Sequence, residues 1–230
     1  MISVCMATYN GHKYIGEQIN SILVQLGAND ELVISDDGST DGTIDLISSY
    51  NDGRIRLYKN DRHHGVVGNF ENSLSKARGE YVFLADQDDV WSKEKINTCL
   101  PLLDEYDMLV HNALFINASG EEIGGDFFSY RKSKSGFWNN LYRNSYIGCC
   151  MCFKKSILDR ALPFPQSILW HDMWIGLVAE KSGNVCFLNK PLLYYRRHEN
   201  NASPTATKSD YSVLFRIRYR MQMLLNILYR

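Results

Sequence analysis

The sequence has no surplus of charge of either sign, few prolines and no long apolar run, and each lack removes a class of protein. Its 230 residues hold 25 Lys+Arg against 26 Asp+Glu, a formal net charge of −1. A chain whose main work is coating nucleic acid is thereby excluded, and no nucleic-acid partner is expected. No stretch reaches the roughly 18–20 apolar residues that a membrane span needs. Met1 to Ala7 has neither a basic leader nor a secretory apolar segment, so the expected location is cytoplasmic. The six cysteines are scattered through apolar stretches and lack zinc-site spacing, which predicts buried, reduced thiols rather than disulfides or a structural metal. Hydrophobic residues at 45% and charged residues at 22% exclude disordered, collagen-like and coiled-coil chains. Internal repeats and low-complexity segments are likewise missing.

What remains is a chain long enough for one large domain. Residues 2–7 read as a buried strand, Glu31 to Ser35 as a second, Arg54 to Tyr58 as a third and Glu80 to Ala85 as a fourth. Between them, Ile15, Ile19, Ile22 and Leu26 predict a helix over 12–26; Ile44 and Ile47 mark a second, and Phe70, Leu74 and Ala77 a third. This alternation predicts an α/β fold with a mostly parallel sheet flanked by helices. Beyond residue 89 it breaks. A helix near 93–104, a long flexible loop over 124–136, a strand at 146–153, a helix at 170–182 and two short strands near 185–188 and 192–196 are expected. The boundaries that follow are a domain over 1–203, whose halves divide at 1–104 and 105–203. A linker and helix occupy 204–230.

Ligands of such sheets bind beyond the carboxyl ends of the strands. Three of those ends are polar here: Thr8-Tyr9-Asn10, Asp36-Asp37, and Asp86-Gln87-Asp88-Asp89. Three carboxylates in four residues repel one another unless a cation sits among them, and Asp86 and Asp88 suit a divalent ion with oxygen ligands. The alternative is a solvated acidic turn at a helix start. Tyr9 offers a face for a base, and Asp37 an acceptor for the N3–H of uracil or thymine, while Asp36 orients the loop. His171-Asp172, between Trp170 and Trp174, supplies a carboxylate desolvated enough for a general base, or a simple helix-start Asp. Arg196, Arg197 and His198 end the last strand, either gripping a diphosphate and metal or forming a basic surface strand. His63 and His64 shape the pocket. Residues 6–14 lack the Gly-rich phosphate loop of a sugar-1-phosphate nucleotidyltransferase. An Asp-x-Asp on the fourth strand, not the first, also argues against an aspartyl phosphatase. A non-catalytic sugar-nucleotide-binding module remains as the non-enzyme reading.

The last 20 residues contain four arginines and no acid. Val213, Leu214, Ile217, Met221, Leu224, Leu225 and Leu228 fall within an arc of roughly 120°, with Arg216, Arg220 and Arg230 opposite. Such a helix fits an anionic bilayer, its own domain, or a second copy of the chain.

Taken together, Val4-Cys5-Met6-Ala7-Thr8-Tyr9-Asn10-Gly11, Asp36-Asp37-Gly38-Ser39-Thr40-Asp41, Asn69, Gly79-Glu80-Tyr81 and Asp86-Gln87-Asp88-Asp89-Val90-Trp91 resemble the bacterial family 2 glycosyltransferases of GT-A fold. The likeness runs to about residue 203 and is strongest to the branch adding rhamnose, galactose or glucose to surface polysaccharides. It implies an inverting transferase using a UDP- or dTDP-hexose and Mg²⁺ or Mn²⁺. The implied acceptor is a saccharide or polyprenyl-diphosphate-linked saccharide, met at the cytoplasmic face of the inner membrane. Thr8, Tyr9, Asn10, Asp37 and Asp86 would contact the nucleotide, Asp86, Asp88 and His198 the metal, and Asp172 would be the general base. Asp89, Trp91, Lys95, His171, Arg196 and Arg197 would touch donor, diphosphate or acceptor. Ala7 stands where the family often has Thr or Ser, which removes one base contact.

Overall fold

A computed structural model describes residues 1–199 and 212–230. The first half alternates as its periodicity predicts: β1 (Ile2–Thr8), α1 (His12–Leu23), β2 (Glu31–Asp36), α2 (Thr43–Ser49), β3 (Ile55–Lys59), α3 (Val66–Ser75) and β4 (Tyr81–Asp86). Then come β5 (Val90–Trp91), α4 (Lys95–Glu105), β6 (Met108–Ile116), β7 (Glu122–Asp126), α5 (Phe127–Arg131) and α6 (Phe137–Tyr142). A 3₁₀ turn (Gly148–Cys150) leads into β8 (Met151–Lys154), α7 (Lys155–Ala161), α8 (His171–Ser182), β9 (Val185–Arg196) and α9 (Val213–Leu228). The linker expected over 204–211 lies outside the described residues.

The strands form one sheet in the order β3-β2-β1-β4-β8-β6-β9-β5, with β7 beside β6. β1 is parallel to β2 and β4, β2 to β3, and β6 to β9. β8 is antiparallel to both β4 and β6, so β6 and β9 point the same way as the first four strands. The carboxyl ends of β1, β2, β4 and β9 therefore share one edge, and the sheet is the mixed, mostly parallel α/β type.

Two apolar layers cover the sheet, and single strands feed both. Val4 and Met6 join Ile15, Ile19 and Ile22 of α1 on one face, while Cys5 turns to Phe70 and Leu74 of α3 on the other. Phe83 and Ala85 likewise oppose Val82 and Leu84. Continuous apolar strands of this kind belong in a sheet with no wet face.

Several later expectations need correction. The loop over 124–136 is largely structured as the end of β7 and as α5. The strand expected at 146–153 begins only at Met151, because the 3₁₀ turn precedes it. The two short strands near 185–196 are one strand, β9, whose pairing with β6 slips between Leu188 and Pro191; Pro191 lacks the N–H to continue the ladder. The six cysteines are free, five of them buried.

The tail is helical, but on another face than its hydrophobic arc indicates. Tyr219, Met223 and Ile227 are the residues buried against the domain. Arg220 donates from Nε to the carbonyls of Leu141 (2.9 Å) and Tyr142 (2.8 Å), and Arg230 donates to the carbonyl of Leu162 (3.2 Å). The arginine side of α9 packs down because those guanidinium groups satisfy orphan carbonyls at the ends of α6 and α7. The apolar arc is left outward, so of the three readings its packing on its own domain is the one that fails.

Candidate functional site

The carboxyl-terminal edge gathers the acidic clusters. Thr8 Oγ1 donates to Gln87 Oε1 (2.6 Å), and the Tyr9 N–H donates to the same oxygen (2.9 Å). Gln87 Nε2 returns a bond to the Tyr9 carbonyl (3.1 Å). A Cβ at Gly11 would lie 2.2 Å from Gln87 Oε1, so a side chain there would push the glutamine end out of this clamp. With its backbone clamped, Tyr9 presents an exposed ring. Asn10 accepts from Thr40 N and its own N–H donates to Ser39 Oγ, tying the β1 loop to the β2 loop (both 2.9 Å). Asp36, as expected, orients its loop, taking the N–H groups of Gly38 and Ser39.

Asp37 is held by Asn60 Nδ2 (2.7 Å), the Gly65 N–H (2.8 Å) and His64 Nδ1 at 2.9 Å. Burial acts to raise its pKa, but these bonds outweigh it and hold the carboxyl below its ordinary value. It stays an ionised acceptor. His64 thus shapes the pocket as anticipated, through Asp37.

Asp88 Oδ2 lies 2.8 Å from His198 Nε2, joining the end of β4 to the end of β9 across 110 residues of sequence. Beside this couple, ligand atoms of Asp86, Asp89 and Cys149 fall within 4.8 Å of one another. Burial, then repulsion from Asp88, pushes Asp86 up to about 7, and burial pushes Asp89 well above its ordinary value. Asp89 Oδ1 accepts from the Arg196 N–H (2.9 Å), while its buried Oδ2 has no hydrogen-bond partner. Crowded carboxylates with an orphaned buried oxygen mark a place short of positive charge, and their hard oxygens with one imidazole suit a divalent cation. The residues fit Mg²⁺ or Mn²⁺.

Asp172 opens α8. Burial pushes its carboxyl up to about 6, opposed by the Met173 N–H on Oδ1 and by the charge of Arg131. Its own charge acts on Asp86, which sets the Asp172 carboxyl near the acidic cluster.

Four expected contacts are displaced. Trp91 is buried against Phe83, because the short β5 pairs with β9 and turns the ring into the core. Lys95 is also fully buried: Nζ sits 3.9 Å over the Trp91 ring and donates to the Cys149 carbonyl (2.7 Å). It props the 3₁₀ turn from beneath and does not face the site. Arg196 is buried too, with Nη2 on Glu17 Oε2 (2.6 Å) and Nε on the Asp88 carbonyl (2.8 Å), so it fastens the acidic loop rather than gripping a diphosphate. His171 stacks on Phe70 at 4.1 Å, and burial takes its pKa down to about 3. A Cβ at Gly148 would lie 2.8 Å from His171 Nε2, so the imidazole is a neutral wall piece. The Arg197 guanidinium lies over Phe115 (4.1 Å) and Tyr130 (5.1 Å), with its buried Nε and Nη2 lacking hydrogen-bond partners.

The structure adds Gln87, Asn60, Cys149 and Arg131, none singled out by sequence. Only Gln87 carried a signal, lying inside the acidic motif.

A mostly parallel α/β sheet with this acid-rich edge defines a nucleotide-sugar transferase architecture of GT-A type. The glycosyl transferase family 2 model matches residues 3–162, and the chain belongs to that family; it is a glycosyltransferase. It is 30% identical over 197 residues to the Escherichia coli UDP-Glc:alpha-D-GlcNAc-diphosphoundecaprenol beta-1,3-glucosyltransferase WfgD, covering 82% of this chain and 73% of that one. It is 28% identical to the Shigella flexneri dTDP-rhamnosyl transferase RfbG over 213 residues, covering 85% and 72%. Among solved structures, S. aureus TarS 1-349 in complex with UDP-GlcNAc superposes with a TM-score of 0.75 at 24% identity, over 98% of this chain and 66% of that chain. The mannosyltransferase PcManGT from Pyrobaculum calidifontis, with GDP-Man and Mn2+, gives 0.64 at 18% identity, over all of this chain and 64% of that one. These two likenesses bear on the fold.

Proposed function

We propose that the protein transfers a hexose (rhamnose, galactose or glucose) from a UDP- or dTDP-sugar to a saccharide, with inversion at the anomeric carbon. The acceptor is a polyprenyl-diphosphate-linked saccharide met at the cytoplasmic membrane face, in synthesis of a surface polysaccharide. The observation that carries this reading is the Asp88–His198 couple beside Asp86, with Asp172 acting on the same cluster. The names of WfgD and RfbG, which specify UDP-Glc and a dTDP-rhamnosyl group, support the choice of donors.

Each residue has a physical part. Tyr9 stacks on the base, and Asp37, kept ionised, accepts its N3–H. Thr8 and Asn10 hold the Tyr9 loop. Asp88 and His198, with Asp86 beside them, would hold Mg²⁺ or Mn²⁺, which when bound neutralises charge on the departing nucleotide diphosphate. Arg197 offers its unpaired N–H groups to donor or acceptor phosphate. Asp172 takes the proton of the acceptor hydroxyl as its oxygen attacks the anomeric carbon from the face opposite the leaving group, and the C–O bond to the diphosphate breaks.

The test is a thermal-shift panel of UDP, dTDP and GDP with and without Mn²⁺. UDP or dTDP with Mn²⁺ should raise the melting temperature, since a ligand bound only to the native state stabilises it. A shift with GDP alone would overturn the base assignment.

A further inference from the structure

We infer that α6 and α9, with the chain from 127 to 147, form one docking face for an anionic lipid bilayer, bordering the acceptor side of the site. The inference deepens the proposed use of a lipid-linked acceptor, and rests on that reading only for why the face is there.

Charge is the first observation. Residues 127–147 contain Arg131, Lys132, Lys134 and Arg143 and no carboxylate; residues 211–230 contain Arg216, Arg218, Arg220 and Arg230 and none either. In a chain of formal net charge −1, eight cations without an acid leave the remainder distinctly acidic. The two segments are brought together by Arg220, whose Nε reaches the Leu141 and Tyr142 carbonyls. Among the described residues none of the eight forms a salt bridge. Where they are hydrogen-bonded it is by carbonyls, and of the eight only Arg131 also acts on a carboxylate, that of Asp172.

Apolar exposure is the second. The outward arc of α9 leaves Leu214 76%, Met221 61% and Leu228 62% exposed, and α6 adds Trp138 at 70% and Tyr142 at 77%. An outward apolar helix face carrying the exposed Arg218, with Trp138, Tyr142 and the exposed Lys132 and Arg143 on the neighbouring segment, is the composition of a segment lying in the headgroup region of a bilayer. A protein partner with so little compensating charge would have to be strongly acidic; anionic lipid supplies both the charge and the apolar layer.

Position is the third. Trp170, the residue preceding α8, packs edge-on against Tyr219 of α9 at 4.9 Å. Asp172 lies two residues farther on, and Arg131 acts on its charge. The face thus adjoins the base that activates the acceptor.

The test measures partitioning of the full chain onto vesicles of phosphatidylglycerol and phosphatidylcholine in equal parts, and onto phosphatidylcholine alone. The chain should bind the anionic vesicles and leave the neutral ones. The exposed triple Lys132→Gln, Arg143→Gln, Arg218→Gln should weaken that binding roughly a hundredfold, at about 1 kcal/mol per cation. The pair Leu214→Ser and Met221→Ser should weaken it at unchanged charge. Equal binding to both vesicle types, or no effect of the charge triple, would overturn the proposal. So would absence of vesicle binding together with a concentration-dependent dimer that the Leu214/Met221 pair dissolves, since a second copy would then own the face. The melting shift with UDP or dTDP and Mn²⁺ is read on every variant. It stays intact if only the docking face is altered and vanishes if the donor site itself was misread.

Discussion

Asp172 is ionised or protonated according to its surroundings, and that decides both rate and stability. With the carboxyl raised to about 6, the base form is complete only above that pH. Transfer should therefore climb as pH rises through about 6 and level off, with the limb absent in Asp172→Asn. That substitution should cost about 10²–10⁴ in rate while the nucleotide-induced melting shift survives. The sign for stability is opposite. A carboxyl whose folded pKa exceeds its unfolded value contributes stability at low pH that is lost as pH rises through about 4 to 6. Asp172→Asn should therefore be more stable than the parent above pH 6, by on the order of 1–3 kcal/mol, the lower end reflecting its partial exposure. Equilibrium unfolding at two pH values measures it. Tyr9→Ala should weaken UDP or dTDP binding by about 1–3 kcal/mol, as loss of one stacking face does elsewhere, read by titration calorimetry. Sequence singled out Asp88 and Tyr9 because strand ends carry ligands, and Asp172 because it opens a helix between Trp170 and Trp174. Arg196 and His171 were not, because a charge or an imidazole beside a site looks the same whether it turns toward ligand or toward Glu17 and Phe70.

At the level of elements, α4 shows how a site is propped from behind. By resemblance Lys95 is expected to touch donor, diphosphate or acceptor, yet α4 buries it and its ammonium serves the Cys149 carbonyl. Lys95→Met should leave nucleotide affinity within about twofold and change stability little, since an apolar chain of similar volume replaces a buried charge that burial already disfavours. Lys95→Ala should destabilise by leaving a cavity. A large loss of UDP affinity in Lys95→Met with unchanged stability would restore it to the diphosphate site. In α9, Met223 is fully buried, and Met223→Ala should cost about 2–5 kcal/mol in the unfolding of the helix from the domain. Helical periodicity announced α9 itself, but periodicity only separates two faces. Which one packs was settled by carbonyls of α6 and α7 that Arg220 and Arg230 could reach, partners that no reading of residues 211–230 contains.

For the whole molecule, ligand linkage gives the coarse test of one integrated site. A donor nucleotide and Mn²⁺ at about a hundredfold over their dissociation constants should add roughly 2.7 kcal/mol, or about 5–10 °C in a protein of this size. Chelation should reverse it, and Asp88→Asn or His198→Asn should abolish the metal-dependent part. The sequence by itself determined the alternating first half, the parallel sheet and its shared acidic edge, because continuous apolar runs and strand-end polarity are local properties of β1, β2 and β4. Only the tertiary structure decided that Asp88 meets His198, that Asp86 meets Asp89 and Cys149, and that Trp91, Lys95 and Arg196 turn inward. Those pairings join residues as far as 179 positions apart, as Glu17 and Arg196 are, and the free energy that selects them comes from burial and hydrogen bonds that exist only once the sheet has closed.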